Sequence, residues 1–146
     1  MGIWKQTFDL ATINGWGAHA LPQTLGIRVV EIGEDHLTGT MPVDDRTRQP
    51  YGILHGGASV ALAETLGSVA AAMCCEDGKA VVGLDINANH VRGVRDGTVT
   101  GTARAIHVGR STQVWEIRIE NEARQLVCIA RLTMAVVPGE AFTVRK

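Results

Sequence analysis

The sequence predicts an α+β fold, built from two strands, one long helix and four further strands. The helical pattern runs from Gly57 to about Cys75 and is rich in Ala, Leu and Val. The strand-like runs around it are separated by short turns. Parallel neighbours would need a crossover helix for each pair, so these turns exclude a doubly wound α/β fold and favour antiparallel pairing.

The remaining elements follow in chain order. A short helix is predicted over residues 9–20, with Asp9 as its cap. Strands Ile27–Ile32 and Leu37–Val43 form a first hairpin, and a loop over residues 44–54 leads into the long helix, which ends near Gly78. Four strands are predicted after it: Ala80–Val91, Thr98–Val108, Thr112–Glu120 and Gln125–Val137. Close turns at 95–97, 109–110 and 121–124 predict that consecutive strands are neighbours.

Length and composition indicate one globular domain over residues 1–146. A domain of this size buries roughly 68–70% of its unfolded surface, which is enough for a core without disulfides. The chain is 45% apolar and 20% charged, with a net charge of −1. We therefore expect no nucleic acid or anionic membrane as a partner, and any site for an anion must be local.

The cysteines and the apolar runs predict a cytoplasmic protein. Cys74 and Cys75 are adjacent and Cys128 is distant, which is neither a C-x-x-C spacing nor a disulfide framework. Reduced thiols are expected. No charged and apolar leader is present, and Glu64 interrupts the one long apolar run, so neither secretion nor a membrane span is predicted.

Glu64 is the residue that departs from its surroundings. The helix is apolar or small on every side, which is typical of a helix enclosed by other structure. No basic residue lies three or four positions away, since those positions hold Val60, Ala61, Gly67 and Ser68. Burying an unpaired carboxylate is costly, so Glu64 either reaches solvent, pairs with a distant arginine or serves a site. Val60, Glu64 and Ser68 share one stripe, which favours a site.

The start of the helix offers a second candidate. His55, Gly56 and Gly57 precede or open the first turn, where N–H groups lack intrahelical partners and a ligand can approach glycine backbone closely. Such donors suit a carbonyl oxygen that gains negative charge. Glu64 lies eight residues further along the helix, about 12 Å along its axis. This is too far for Glu64 and the first-turn N–H groups to act on the carbonyl carbon of one ester. A site shared by two chains would bring the two groups together.

Three segments carry a resemblance to a known family: QPYGILHGGASVALAETLGS (49–68), VVGLDINANHVR (81–92) and HVGR (107–110). They resemble the hotdog-fold thioesterases of the 4-hydroxybenzoyl-CoA and 1,4-dihydroxy-2-naphthoyl-CoA type. Ile3–Lys5 and Met41–Asp44 are similar to the enterobactin-associated proofreading thioesterases. The resemblance implies a long central helix wrapped by a curved six-stranded antiparallel sheet. It also implies dimers with a continuous sheet, paired into homotetramers, with active sites between subunits.

The resemblance also implies residue roles. Glu64 would be the nucleophile or general base, Gln49 and the Gly56 amide would polarise the thioester carbonyl, and His55 and Ser68 would support them. The implied substrate-binding residues are Gly83, His90, Val91, Arg92, Gly93, His107, Val108, Gly109, Arg110 and Ser111. The implied reaction is hydrolysis of acyl-CoA, with aromatic acyl groups and carrier-protein thioesters as candidate substrates. No cofactor is implied.

Smaller features refine this expectation. Arg92 and Arg110 offer charge for phosphates, whereas Arg95 and Arg104 are expected to be ordinary solvated arginines. Gly83 interrupts an apolar strand, which often marks close approach by a ligand or another backbone. Tyr51, where several family members carry phenylalanine, could alter the preference for the acyl ring.

Other functions are less well supported by the residues. Residues 57–61 nearly match a G-x-S-x-G nucleophile elbow, but the last glycine is Ala61 and no parallel sheet precedes it. The five histidines show no paired metal spacing, so no metal is expected. A hotdog hydratase or dehydratase and a non-catalytic acyl-CoA-binding protein remain alternatives. The first lacks its usual His and acid motif here, and the second usually carries an added DNA-binding segment.

Overall fold

The computed structural model describes residues 2–141, so the two ends of the predicted 1–146 domain lie outside the described residues. Over these described residues the elements are three α-helices, six strands and a short 3₁₀ turn. Their bounds are α1 Leu10–Trp16, α2 Leu21–Leu25, β1 Arg28–Ile32, β2 His36–Pro42, α3 Gly56–Met73, β3 Lys79–His90, β4 Thr98–Val108, β5 Thr112–Glu120, β6 Leu126–Pro138 and the 3₁₀ turn Gly139–Ala141. Each predicted strand and the long helix are present to within about two residues.

The six strands form one antiparallel sheet in the order β1-β2-β4-β5-β6-β3. The hairpins β1–β2, β4–β5 and β5–β6 are confirmed. The expected pairing of β3 with β4 is wrong, because β3 pairs along its length with β6 at the far edge. The seven residues 91–97 are long enough to leave the sheet. They bind the loop before α3, where Leu54 N–H donates to Val94 O at 2.7 Å.

Helix α3 packs against five of the six strands, β2 to β6. Leu62 and Leu66 on its sheet-facing side are fully buried. Gly39 and Gly101 let the sheet approach, because an added Cβ at either would lie within 2.7 Å of a Leu66 methyl carbon. These contacts confirm the central helix of the α+β fold. By length and composition α3 is also long and apolar enough to cross a membrane, and 44% of it is buried inside the protein.

The segment before β1 differs from the single helix expected over residues 9–20. Asp9 is confirmed as the cap, accepting from Thr12 N–H at 2.7 Å, and this bond lowers the pKa of the Asp9 carboxyl. Helix α1 ends at Trp16, and a second helix, α2, starts afresh with Pro22 in its first turn. Proline is tolerated in a first turn but not in a helix interior, so α2 cannot be a continuation of α1. α2 ends at Gly26, whose φ of 73° suits glycine.

Candidate active site

Glu64 lies in the wall of a cavity of about 550 Å³ between α3 and the segment formed by α1, α2 and the start of β1. The lining is mostly apolar, and Thr65 and Ser68 from α3 join Glu64 in it. Glu64 is partly exposed, so it reaches solvent through this cavity. Within residues 2–141 its carboxylate forms no ion pair. The alternative of a distant arginine partner is therefore not seen in the described part of the chain.

The Glu64 carboxylate rests against the backbone of Gly83 on β3. A Cβ added to Gly83 would lie 2.8 Å from Glu64 Oε1 and 4.0 Å from Met134 Sδ. The register of β3 shifts between Gly83 and Asp85, which is a β-bulge at this point. Ser68 lies one turn along α3, but its hydroxyl donates to Met134 Sδ at 3.8 Å rather than to Glu64. In this chain the close approach at Gly83 is made by the carboxylate.

The start of α3 leaves one backbone donor available. His55 is the helix cap: its Nδ1 accepts from Gly57 N–H at 2.8 Å, and its carbonyl accepts from the N–H groups of Ala58 and Ser59. Because Nδ1 accepts this bond, the ring proton of a neutral His55 lies on Nε2. The Gly56 N–H has no acceptor among the described residues. It is therefore the donor of the first turn that a ligand oxygen could use.

Gly56 lies in a cleft of about 440 Å³ that also contains Gln49 and the segment His90–Gly93. The His90 ring packs on Gly56, since an added Cβ there would lie 3.0 Å from His90 Nε2. Tyr51 N–H donates to Gln49 Oε1. This bond occupies the amide oxygen and leaves the Gln49 NH₂ group as the free donor. The cleft thus combines two neutral donors with the cationic side chain of Arg92 at its wall.

The stretch His107–Ser111 lies elsewhere, at the end of β4 and the turn into β5. Val108, Gly109 and Arg110 line a third pocket of about 250 Å³, which also contains Lys79 and the ion pair of Lys5 with Glu76. Arg104 is bound to Asp35 at 2.9 Å on the surface, as expected of an ordinary solvated arginine.

Most of the site residues predicted from the sequence therefore fall into three groups within one chain, whereas His55, His107 and Ser111 line none of the three cavities. Glu64, Ser68 and Gly83 lie together around the first cavity. Gln49, Gly56 and His90–Gly93 share the second cleft, and Val108–Arg110 the third pocket. Glu64 lines neither the second cleft nor the third pocket. This separation agrees with the axial distance between Gly56 and Glu64 inferred from the sequence.

Sequence analysis missed the residues that complete the Glu64 cavity. They come from α1, α2, β1 and the links between these elements, and they include Ile13, Asn14, Trp16, Pro22, Ile27 and Val29. The sequence did contain one indication of this wall. Ile13 and Trp16 are three residues apart, which places both on one face of α1. Nothing local to α1 indicates that this face lies opposite Glu64.

The cysteines are poor candidates for a nucleophile. All three are free and buried. Burial raises the pKa of the Cys74 thiol to about 11 and also raises that of Cys75 and Cys128, so the reactive thiolate is scarce at neutral pH. Across residues 2–141, no three His, Cys, Asp or Glu side chains converge in a way that could hold a metal ion.

Residues 51–128 match the family described as the Thioesterase superfamily. The 1,4-dihydroxy-2-naphthoyl-CoA hydrolase of Escherichia coli is 50% identical over 92% of this chain and 99% of that protein. The proofreading thioesterase EntH of Cronobacter turicensis is 47% identical over 92% and 98%. The crystal structure of thioesterase HI1161 from Haemophilus influenzae has 53% identity and a TM-score of 0.91, over 93% of this chain and 95% of that one. This chain therefore belongs to the thioesterase superfamily, with its hotdog fold, and is a thioester hydrolase.

Proposed function

We propose that this enzyme hydrolyses aromatic acyl-CoA thioesters to the free acid and CoA. The observation that carries the proposal is the Glu64 carboxylate, which has no ion-pair partner in the described chain and lies in the wall of a mostly apolar cavity. A cavity of about 550 Å³ is within the usual range for a small-molecule site and can hold an aromatic ring. The names of the E. coli hydrolase and of EntH support a thioester substrate, and the first of them names an acyl-CoA.

Glu64 would carry the chemistry in one of two ways. As a nucleophile, its oxygen forms a bond to the thioester carbon, the C–S bond breaks, CoA leaves as thiolate, and water then hydrolyses the mixed anhydride. As a general base, Glu64 takes a proton from the water that attacks the carbon. Label found in the Glu64 carboxylate after a single turnover in ¹⁸O-water would establish the nucleophilic route, because water that attacks the Glu64 carbon of the anhydride leaves its oxygen there. Label in the product acid alone arises from the general-base route and also from water attack on the acyl carbon of the anhydride.

Gly56 and Gln49 would stabilise the oxygen of the same carbonyl. The Gly56 N–H and the Gln49 NH₂ group are both without acceptors in the described chain and share one cleft. A donor placed at an oxyanion contributes roughly 2.7–4 kcal/mol of transition-state stabilisation. Because Glu64 lies in a different cavity of the same chain, we propose that a second subunit supplies it.

The edge strand β3 supports this assembly. It is twelve residues long and forms one edge of the sheet, and Leu84 on it is 61% exposed. A long edge strand presents a row of backbone N–H and C=O groups that can pair with another chain, so we propose that two copies join their sheets at β3 and that two such dimers form a tetramer. We place His90–Gly93 and His107–Ser111 along the CoA arm, with Arg92 and Arg110 at its phosphates.

A thiol-release assay across benzoyl-CoA, a long-chain acyl-CoA and acetyl-CoA tests the proposed reaction and its substrate class. Free CoA thiol should appear, and kcat/KM should be highest for benzoyl-CoA, because the ring fills the apolar cavity and its binding energy acts at the transition state. We expect the reaction to occur in the cytoplasm, where the three buried thiols stay reduced. A clear preference for acetyl-CoA would contradict the proposed substrate, and conversion without thiol release would contradict hydrolysis.

A further inference from the structure

Asn14 joins helix α1 to the sheet through two hydrogen bonds. Its Nδ2 donates to Val29 O at 2.9 Å, and Val29 N–H donates to its Oδ1 at 2.8 Å. β1 is an edge strand of the sheet, paired with β2 on one side. The Asn14 amide therefore satisfies one donor and one acceptor on the open side of β1, as a further strand would. We call this pair of bonds the Asn14 clasp.

The clasp lies in the wall of the Glu64 cavity. Asn14 and Val29 both line that cavity, together with Ile13 and Trp16 of α1. Helix α1 has seven residues, and isolated helices of that length are not stable in water, so its position depends on tertiary contacts. Within residues 2–141, the clasp provides the only side-chain hydrogen bonds from α1 to the sheet.

The other contacts of α1 constrain its orientation relative to the sheet less. Ile13 is buried in the core, and the Trp16 ring packs edge-on against Phe8 with centroids 4.9 Å apart. Burial of Ile13 is non-directional, and the Phe8–Trp16 pair joins α1 to the segment just before it rather than to the sheet, whereas two opposed hydrogen bonds to one residue specify both distance and orientation. The clasp is thus the directional contact between α1 and the sheet.

We propose that Asn14 is a positioning residue that holds α1 as the far wall of the acyl pocket and so sets the preference for large acyl groups. This inference rests on the proposed function, in which the Glu64 cavity takes the acyl group. A ring that fills the cavity would contact α1, whereas an acetyl group ends near Glu64 and would not reach it. Moving α1 should therefore weaken catalysis on benzoyl-CoA more than on acetyl-CoA.

The test compares kcat/KM for benzoyl-CoA and acetyl-CoA in Asn14→Ala and Asn14→Asp. Alanine removes both bonds, whereas aspartate can still accept from Val29 N–H but cannot donate to Val29 O. We expect the benzoyl-to-acetyl ratio to fall by roughly 10–100-fold in Asn14→Ala, the scale of a misplacement of about 1 Å, and by less in Asn14→Asp. Amide exchange at Val29 should accelerate in Asn14→Ala. If Asn14→Ala does not fold, the benzoyl-to-acetyl ratio of kcat/KM in Asn14→Asp is the measurement that tests the role of Asn14.

Asn121 provides a matched control. Its Oδ1 accepts from Ala123 N–H at 3.0 Å and Gln125 N–H at 2.9 Å in the β5–β6 turn, and it lines none of the three cavities. Asn121→Ala should keep the wild-type ratio. An unchanged ratio in the Asn14 variants, or equal losses on both substrates, would overturn the role of Asn14. A wild type without benzoyl preference would instead overturn the proposed function.

Discussion

Gly83→Ala should impair catalysis while leaving the fold intact. The added Cβ would lie 2.8 Å from Glu64 Oε1, about 0.6 Å short of ordinary van der Waals contact at 3.4 Å. Gly83 is not among the residues with positive φ, so alanine fits its backbone. The atom that must give way is the end of a flexible side chain. Alanine also restricts the unfolded chain, which stabilises by about 0.4–1 kcal/mol and offsets part of the strain.

The substitution should lower kcat because Glu64 is the group that moves. A misplacement of about 1 Å can cost roughly 100-fold, so a shift of about 0.6 Å should lower kcat by roughly 10–100-fold with little change in KM. The assay is thiol release from benzoyl-CoA, with the unfolding midpoint measured in parallel. In a Glu64→Gln background, Gly83→Ala should add no further loss, since both changes act on one side chain.

Gly15→Ala is the control, because an added Cβ there meets nothing within 4 Å. It should leave kcat unchanged. A Gly83→Ala enzyme with normal kcat and KM would refute the reasoning. A raised KM with normal kcat would also refute it, and would place the pantetheine arm on Gly83 instead.

Three further outcomes follow from the proposed site. Gln49→Ala should lower kcat by roughly 10–1000-fold with a smaller change in KM, since the lost donor matters most as charge builds on the oxygen. Arg92→Ala should raise KM, and the rise should be smaller at high salt. On a pantetheine thioester that lacks the nucleotide, Arg92→Ala should have the same kcat/KM as wild type. Equal impairment of Gln49→Ala and Arg92→Ala on that substrate would contradict these roles. Light scattering should show a tetramer. A dimer would correct only the higher assembly, whereas an active monomer would contradict the shared site.

The sheet and the long helix were predictable because their signals are local. Turn residues and runs of β-branched side chains define where each strand begins and ends, and the apolar helix has no alternative assignment. Pairing of β3 with β6 was not predictable from turn length. It depends on the loop 91–97 binding the backbone of Leu54 and Val43, which is a contact between segments distant in sequence.

The sequence suggested residues for the candidate site but did not define the walls of the cavity around Glu64. Glu64 stood out because a carboxylate without a nearby basic residue is costly in an apolar helix. For Gly83 the sequence indicated only close approach by some group. It did not indicate that this group is the Glu64 carboxylate, which lies on another element. The α1 wall was missed because Asn14 bonds to Val29 across fifteen residues of chain, and no local pattern records that bond.

The most direct test of the account is the turnover of Glu64→Gln, measured as CoA thiol released from benzoyl-CoA. Glutamine keeps the shape of the side chain but can neither attack the carbonyl nor accept a proton from water, so kcat should fall by at least about 100-fold. Glu34→Gln, on the exposed β1–β2 turn and outside the three cavities, should match wild type. Retention of near-normal turnover by a folded Glu64→Gln enzyme would contradict the assignment of Glu64 as the catalytic carboxylate.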